Sequence, residues 1–131
     1  MEQARARIEA QMQLYFDGLY LSDVDRLAKV FDPAARYVCA TGEEAINLGM
    51  KEYFPIVAAR EPPAARGEAR RDEVVAITFA GEKTALVQAR CAIGERHFSD
   101  FLSFIHTAAG WRIVAKVFHY ETLPNLASDT E

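Results

Sequence analysis

The stretch from Glu73 to Glu121 decides the fold: EVVAITFAGEKTALVQARCAIGERHFSDFLSFIHTAAGWRIVAKVFHYE. Apolar and polar residues alternate in four runs, residues 73–79, 84–93, 97–107 and 111–121. A period of two predicts strands, and the short glycine-containing separators between the runs permit hairpin turns. We therefore predict four sequential strands that form an antiparallel meander.

The residues before this stretch predict helices. A first helix carries an apolar stripe with helical spacing, formed by Ile8, Met12, Tyr15, Phe16 and Leu19. A second helix starts after the capping residues Ser22 and Asp23 and is expected to end at Asp32-Pro33. A short strand over residues 35–40 and a third helix from about residue 49 to 60 follow, with Pro55 marking a kink or the true start of that helix.

These elements predict one α+β domain in which about three helices pack on one face of the sheet. The domain covers residues 1–131, with an ordered core at about 5–121 and an acidic tail at 122–131.

Charge and composition restrict the function. The net charge is −4. The cluster of Arg60, Arg66, Arg70 and Arg71 has Glu61, Glu68, Asp72 and Glu73 among it. We interpret that cluster as a self-compensating loop and predict no nucleic-acid partner. No apolar run has the length of a signal sequence or of a membrane span, so a cytoplasmic location with no membrane partner is expected.

The cysteines and histidines predict no metal site. Cys39 and Cys91 lie in apolar strand runs without zinc-ligand spacing, which favours buried free thiols. His97, His106 and His119 share no register that would bring them onto one metal. We predict no cofactor.

Four segments carry a resemblance to a known family: Tyr15-Phe16-Asp17-Gly18-Leu19, Ser22-Asp23-Val24-Asp25, Phe31-Asp32-Pro33-Ala34-Ala35 and Gly110-Trp111-Arg112-Ile113-Val114. In this order the chain resembles the nuclear transport factor 2-like superfamily over about residues 5–121. Residues 111–120 and 64–68 are most similar to a bacterial subgroup described as "putative lumazine-binding", beside the polyketide-cyclase-like (SnoaL-like) group. The resemblance implies a cystatin-like cone in which a strongly curved, mostly antiparallel mixed sheet wraps the helices around an apolar cavity.

The resemblance also implies roles for individual residues. Tyr15 and Asp100 fall where ketosteroid isomerases of this superfamily place the two hydrogen-bond donors of an oxyanion hole. The carboxylate base of those enzymes aligns with Cys39, so steroid isomerisation is disfavoured. By strand parity and family register His119 also faces the pocket, where a histidine could exchange protons. Tyr15, Asp100 and His119 are therefore expected to converge and are the catalytic candidates.

The complete set of predicted ligand-binding residues is Tyr15, Tyr37, Cys39, Tyr53, Cys91, Asp100, Phe104, Val117 and His119. Each of them also suits a core or structural role, and that alternative stays open. We favour a protein that binds a flat, largely apolar small molecule in the cone cavity. The alternatives are an isomerase, dehydratase or cyclase acting on a ring substrate, and a structural or partner-binding dimer. A homodimer through the sheet face opposite the helices is expected, with Val114 and Phe118 in its interface.

Overall fold

The helices lie in the first half of the chain, and the long strands lie in the second. The computed structural model describes residues 2–123. Helix α1 spans Glu2–Leu21, α2 Val24–Ala28 and α3 Met50–Ala59, and a 3-10 turn covers Pro63–Arg66. The predicted tail falls almost wholly on residues 124–131, outside the described residues. No helix within residues 2–123 is long and apolar enough to cross a bilayer.

One mixed sheet of six strands carries the helices. Its strands are β1 (Phe31–Cys39), β2 (Ile46–Gly49), β3 (Glu73–Phe79), β4 (Thr84–Ile93), β5 (Arg96–Thr107) and β6 (Gly110–Thr122), in the spatial order β2-β1-β6-β5-β4-β3. Strands β1 and β6 run parallel, and the other neighbours are antiparallel. The predicted α+β class and the four-stranded meander are confirmed, whereas β2 was not predicted.

The second helix is shorter than expected because β1 starts early. Helix α2 ends at Ala28, and Phe31 already pairs with Ile113 of β6. The amide of Ile113 also donates to the carbonyl of Val30 at 2.8 Å. Pairing in the sheet satisfies backbone groups that a longer helix would otherwise have satisfied.

Register shifts interrupt three of the strand pairings. Between β5 and β6, Ser103 pairs with Ala115 and Phe104 pairs with Ile113, so β6 holds one extra residue, Val114. Similar shifts occur between β1 and β6 and between β3 and β4. Such bulges bend the strand that contains them and reverse which residues face the core.

The bulge in β6 decides which side chains enter the core. Trp111 and Ile113 are buried before it, and Lys116 and Phe118 are buried after it. The prediction that Phe118 lies on the outer face is therefore wrong, since this ring is in the core. Val117 is the outward residue at this point and is 45% exposed.

The first helix supplies the other side of the core. All five residues of its predicted stripe are buried, and Gly18 lets Leu27 of α2 pack closely against α1. In the loop after α3 the predicted charge compensation is confirmed for Arg66 and Arg70, two of the four arginines in that cluster. Arg66 pairs with Glu61 and Glu68, and Arg70 pairs with Asp17 and Asp72.

Candidate functional site

Four polar side chains meet inside the core between α1, α3 and the inner face of the sheet. We call Tyr15, Tyr53, Asp100 and Lys116 the polar core cluster; each of them is at most 3% exposed. Burial of polar groups is costly unless they find partners, so an interior cluster of this kind requires a physical explanation.

Tyr15 and Asp100 form the one direct hydrogen bond of the cluster. The hydroxyl of Tyr15 donates to Oδ2 of Asp100 at 2.7 Å. Helical spacing puts Tyr15 on the inward stripe of α1, and the alternation of β5 puts Asp100 inward together with Leu102. Burial, followed by the nearby carboxylate of Asp100, raises the pKa of Tyr15 well above its ordinary value of 10.0. The tyrosine is therefore neutral and donates.

Lys116 points its ammonium into a ring of aromatic side chains. Its Nζ atom lies 5.0 to 6.0 Å from the ring centroids of Tyr15, Tyr37, Tyr53, Phe98 and Phe118. It forms no ion pair with any carboxylate of residues 2–123. Burial lowers the pKa of Lys116, but the combined attraction to Tyr53, Asp100, Tyr37 and Cys91 outweighs it, so the pKa is raised overall. Cation–π contacts with the rings favour the same charged form.

Two polar atoms of the cluster have no hydrogen-bond partner among the described residues. They are Oδ1 of Asp100 and the hydroxyl of Tyr53, and both are fully buried. The ring of Tyr53 stacks on that of Tyr37 with centroids 4.1 Å apart and an interplanar angle of 22°. The unpartnered hydroxyl of Tyr53 therefore lies at the edge of a stacked aromatic pair.

The cluster is equipped to bind polar groups, and the carboxylate of Asp100 is its one group with the chemistry of a base. It offers the ammonium of Lys116 and the hydroxyl of Tyr53 as donors, and Oδ1 of Asp100 as an acceptor. Burial raises the pKa of the neighbouring Cys91 thiol to about 12, so this thiol is not a nucleophile near neutral pH. A charged lysine and a protonated thiol cannot abstract a proton from a substrate.

A surface cleft of about 320 Å³ reaches residues that flank the cluster. Its lining includes Phe98, whose ring faces the Lys116 ammonium, and Cys91. Arg71, Glu73 and Arg90 are among the other lining residues. Solvent therefore approaches the cluster from the ends of β4 and β5.

The family model described as "Putative lumazine-binding" matches residues 3–119. The chain belongs to this family. The matched range contains all four residues of the polar core cluster, since it extends from α1 to the part of β6 beyond the bulge. Comparison with curated proteins gives no match.

Several solved structures of other proteins have a fold similar to that of this chain. An NTF2-like protein of unknown function from Silicibacter pomeroyi is 18% identical with a TM-score of 0.78, covering 92% of this chain and 98% of its own. An NTF2-like protein of unknown function from Shewanella baltica is 16% identical with a TM-score of 0.80, covering 91% and 94%. A ketosteroid isomerase-like protein from Erwinia carotovora atroseptica is 13% identical with a TM-score of 0.68, covering 88% and 94%. The nuclear transport factor 2-like resemblance is confirmed.

Most of the residues predicted for the site are buried in this family member. Tyr15, Tyr53 and Asp100 belong to the polar core cluster, and Tyr37 stacks against it. Cys39, Cys91 and Phe104 are buried as well. Phe104 lies four residues beyond Asp100 on β5, about 13 Å farther along the strand. A role for any of them in binding stays a prediction.

Val117 and His119 lie outside the core, contrary to expectation. His119 is 58% exposed, and its Nδ1 atom lies 2.8 Å from Oγ1 of Thr41. Its Nε2 atom lies 3.6 Å from a carboxylate oxygen of Glu121. The predicted convergence of His119 with Tyr15 and Asp100 is wrong, because the bulge at Val114 reverses the parity of the rest of β6.

Lys116 is the member of the cluster that sequence reasoning missed. Unbroken alternation from Trp111 puts Lys116 on the outer face, where a charged side chain is ordinarily found. The one signal in the sequence is that Val114, Ala115, Val117 and Phe118 place apolar residues at both parities. Such a pattern is compatible with a bulge but does not locate it.

Proposed function

We propose that the protein binds a flat, largely apolar small molecule at the polar core cluster, with no reaction assigned to it. One observation carries the proposal: within residues 2–123, Oδ1 of Asp100 and the hydroxyl of Tyr53 are buried without hydrogen-bond partners, and the ring of Tyr53 stacks on that of Tyr37. An unsatisfied buried polar atom costs about 1–3 kcal/mol, and a ligand that supplies the missing hydrogen bonds recovers that free energy. The family description and the aromatic walls support a ring compound.

A titration with 2-naphthol tests this proposal. This planar bicyclic probe should shift the amide resonances of Asp100, Lys116 and Tyr15 in nitrogen–proton NMR spectra, and the shifts should saturate. The variant Tyr120→Phe is a control that should show the same shifts as the wild type. Tyr120 is only half-buried and is not part of the cluster. Absence of any shift at millimolar probe, or shifts confined to the outer sheet face, would contradict the proposal.

The Tyr15–Asp100 hydrogen bond favours a second candidate, an acid–base enzyme acting on a ring ketone. These two groups occupy the positions where the resemblance implies an oxyanion hole. Catalysis of a proton shift also needs a base, and Cys39 stands where the related enzymes have a carboxylate. We therefore place the enzyme second to the binding protein. Conversion of a β,γ-unsaturated cyclic ketone to its conjugated isomer by the purified protein would make the enzyme the preferred candidate.

The outer face of the sheet supports a homodimer. Phe101 and Val117 are direct neighbours on β5 and β6 and are 53% and 45% exposed. Val75 on β3 is a further exposed apolar residue. We propose that a second copy of the chain covers this face, with Phe101 and Val117 in place of the expected Phe118.

A further inference from the structure

A surface cleft lies between α2, β1 and α3, apart from the cleft at the ends of β4 and β5. Its volume is about 470 Å³, and we call it the α3 cleft. Within residues 2–123 its walls hold one charged side chain, and the others are apolar: Ala28, Phe31, Pro33, Met50, Phe54 and Pro55. Small-molecule sites in proteins have volumes of about 300–1,000 Å³ and mostly apolar walls with a few polar groups. The α3 cleft therefore has the size and the surface of such a site.

We propose that the α3 cleft binds a straight-chain carboxylate, with the alkyl chain on the apolar walls and the carboxylate at Lys51. This is a second site with a different ligand class, so it does not rest on the proposed function. Phe31 separates the two sites, since it lines the α3 cleft and its ring centroid lies 6.1 Å from that of Tyr15 and 6.0 Å from that of Tyr53. Within residues 2–123, no member of the polar core cluster lines the α3 cleft.

Lys51 supplies the charged group of the α3 cleft. It is exposed, and its ammonium forms no ion pair with any carboxylate of residues 2–123. The acids next to the lining residues in the chain, Asp32 and Glu52, do not belong to the described lining. Their carboxylates accept hydrogen bonds from the backbone amides of Ala34 at 2.9 Å and Gly49 at 3.1 Å. An anion at Lys51 is therefore attracted without facing a carboxylate from these walls.

The aromatic walls favour a chain over a flat ring. Phe31 and Phe54 meet edge to face, with ring centroids 6.2 Å apart and an interplanar angle of 72°. Two rings at this angle form a corner, whereas a flat ligand packs best on a broad parallel surface. Met50 adds an unbranched, flexible side chain that adapts to the shape of its neighbour. The walls therefore suit a narrow alkyl chain.

Charge and apolar surface together select the ligand class. A small inorganic anion would meet Lys51 but would bury no apolar surface on the walls. A neutral alkyl chain would use the walls and leave Lys51 without a partner. A carboxylate at the end of an alkyl chain matches both features of the cleft.

Nitrogen–proton NMR titrations with octanoate, hexanoate and 1-octanol test the proposal. Octanoate should shift the amide resonances of Met50, Lys51 and Phe54 and should leave those of Asp100 and Lys116 in place. Hexanoate should bind about tenfold more weakly than octanoate, because two fewer methylene groups are buried. 1-Octanol has a chain of similar length without the charge, so its comparison with octanoate isolates the contact with Lys51.

Two variants separate the head group from the chain. Lys51→Gln should weaken octanoate binding about two- to fivefold, the effect of an exposed ion pair, and should leave 1-octanol binding unchanged. Its matched control is Lys83→Gln, because Lys83 is an exposed lysine of the turn between β3 and β4. Ala28→Phe puts a ring into the cleft from an exposed position and should weaken both probes at least about tenfold. Its matched control is Ala59→Phe, at the exposed end of α3 and outside the lining.

Four results would overturn the proposal. Equal affinities for octanoate and hexanoate would show that the chain is not buried. An unchanged octanoate affinity in Lys51→Gln would exclude the head-group contact, and shifts at Asp100 and Lys116 in place of Met50 and Phe54 would exclude the site. A smaller mass of Ala28→Phe than of the wild type in size exclusion with light scattering would show that a second copy of the chain covers the cleft. None of these results depends on whether 2-naphthol binds the polar core cluster.

Discussion

Three groups in or beside the polar core cluster have pKa values that burial raises. They are Cys91, whose pKa rises from 9.0 to about 12, and the phenols of Tyr15 and Tyr53. Each group is neutral in its protonated form, so the folded protein holds these protons more tightly than the unfolded chain does. The contribution of these three groups to the free energy of unfolding is complete below their pKa values in the unfolded chain. It is lost as pH rises through their pKa values in the folded protein.

The thiol of Cys91 allows a direct test of this linkage. The free energy of unfolding, measured by urea titration, should fall as pH rises from about 9 to 12, with Cys91 contributing at most about 4 kcal/mol. Cys91→Ala should show a shallower fall over the same range, whatever its stability at pH 7. Parallel pH profiles for the wild type and the variant would contradict the raised thiol pKa.

The contact between α1 and α2 depends on the absence of a side chain at position 18. A Cβ atom at Gly18 would lie 2.6 Å from Cδ2 and 2.8 Å from Cγ of Leu27. Leu27 is fully buried and cannot move away without disturbing the core. Helical packing, rather than backbone freedom, therefore requires glycine here.

Replacement of Gly18 by alanine should destabilise the protein. Overpacking costs about 1–3 kcal/mol, which exceeds the gain of up to about 1 kcal/mol in helix propensity. Thermal and urea unfolding of Gly18→Ala measure the net effect. The same change combined with Leu27→Ala should cost less than the sum of the two single changes. A more stable Gly18→Ala protein would show that the two helices are not packed as described.

The strands and the bulge show what the sequence can and cannot predict at this scale. Period-two runs located β3 to β6 to within about one residue, because alternation and glycine turns are local signals. Strand β2 was missed because Ile46–Gly49 is short and lacks alternating burial. The bulge at Val114 depends on pairing with both β1 and β5, and no local pattern in β6 specifies it. Tyr15 and Asp100 were predicted from the family resemblance, and both lie in elements with a regular pattern, α1 and β5. Lys116 was missed because it lies beyond the bulge.

At the scale of the whole molecule, the outer sheet face decides the state of assembly. The proposed dimer buries Phe101, and an interface of standard size should hold at micromolar concentration. Phe101→Glu should therefore yield monomers in size exclusion with light scattering. Ile56→Glu is the matched control, because Ile56 is similarly exposed at 45% but lies on α3. A wild-type monomer at tens of micromolar, or a dimer that survives Phe101→Glu, would contradict this interface.

The helices, the sheet and the bulge together place two formal charges and two unpartnered polar atoms in an aromatic interior. A packed core without a ligand role has no need of such a costly arrangement. Ordered water could also satisfy polar atoms of this kind. The two cases differ in the electron density between Tyr53, Asp100 and Lys116, which is planar for a ring ligand and consists of isolated peaks for water.

A crystal structure of the protein with 2-naphthol tests the central claim most directly. The account predicts planar density beside the Tyr37–Tyr53 stack, with the hydroxyl of the probe within about 3.2 Å of Oδ1 of Asp100 or of the hydroxyl of Tyr53. Isolated water molecules on those atoms, with the probe absent from the core or bound elsewhere, would contradict it.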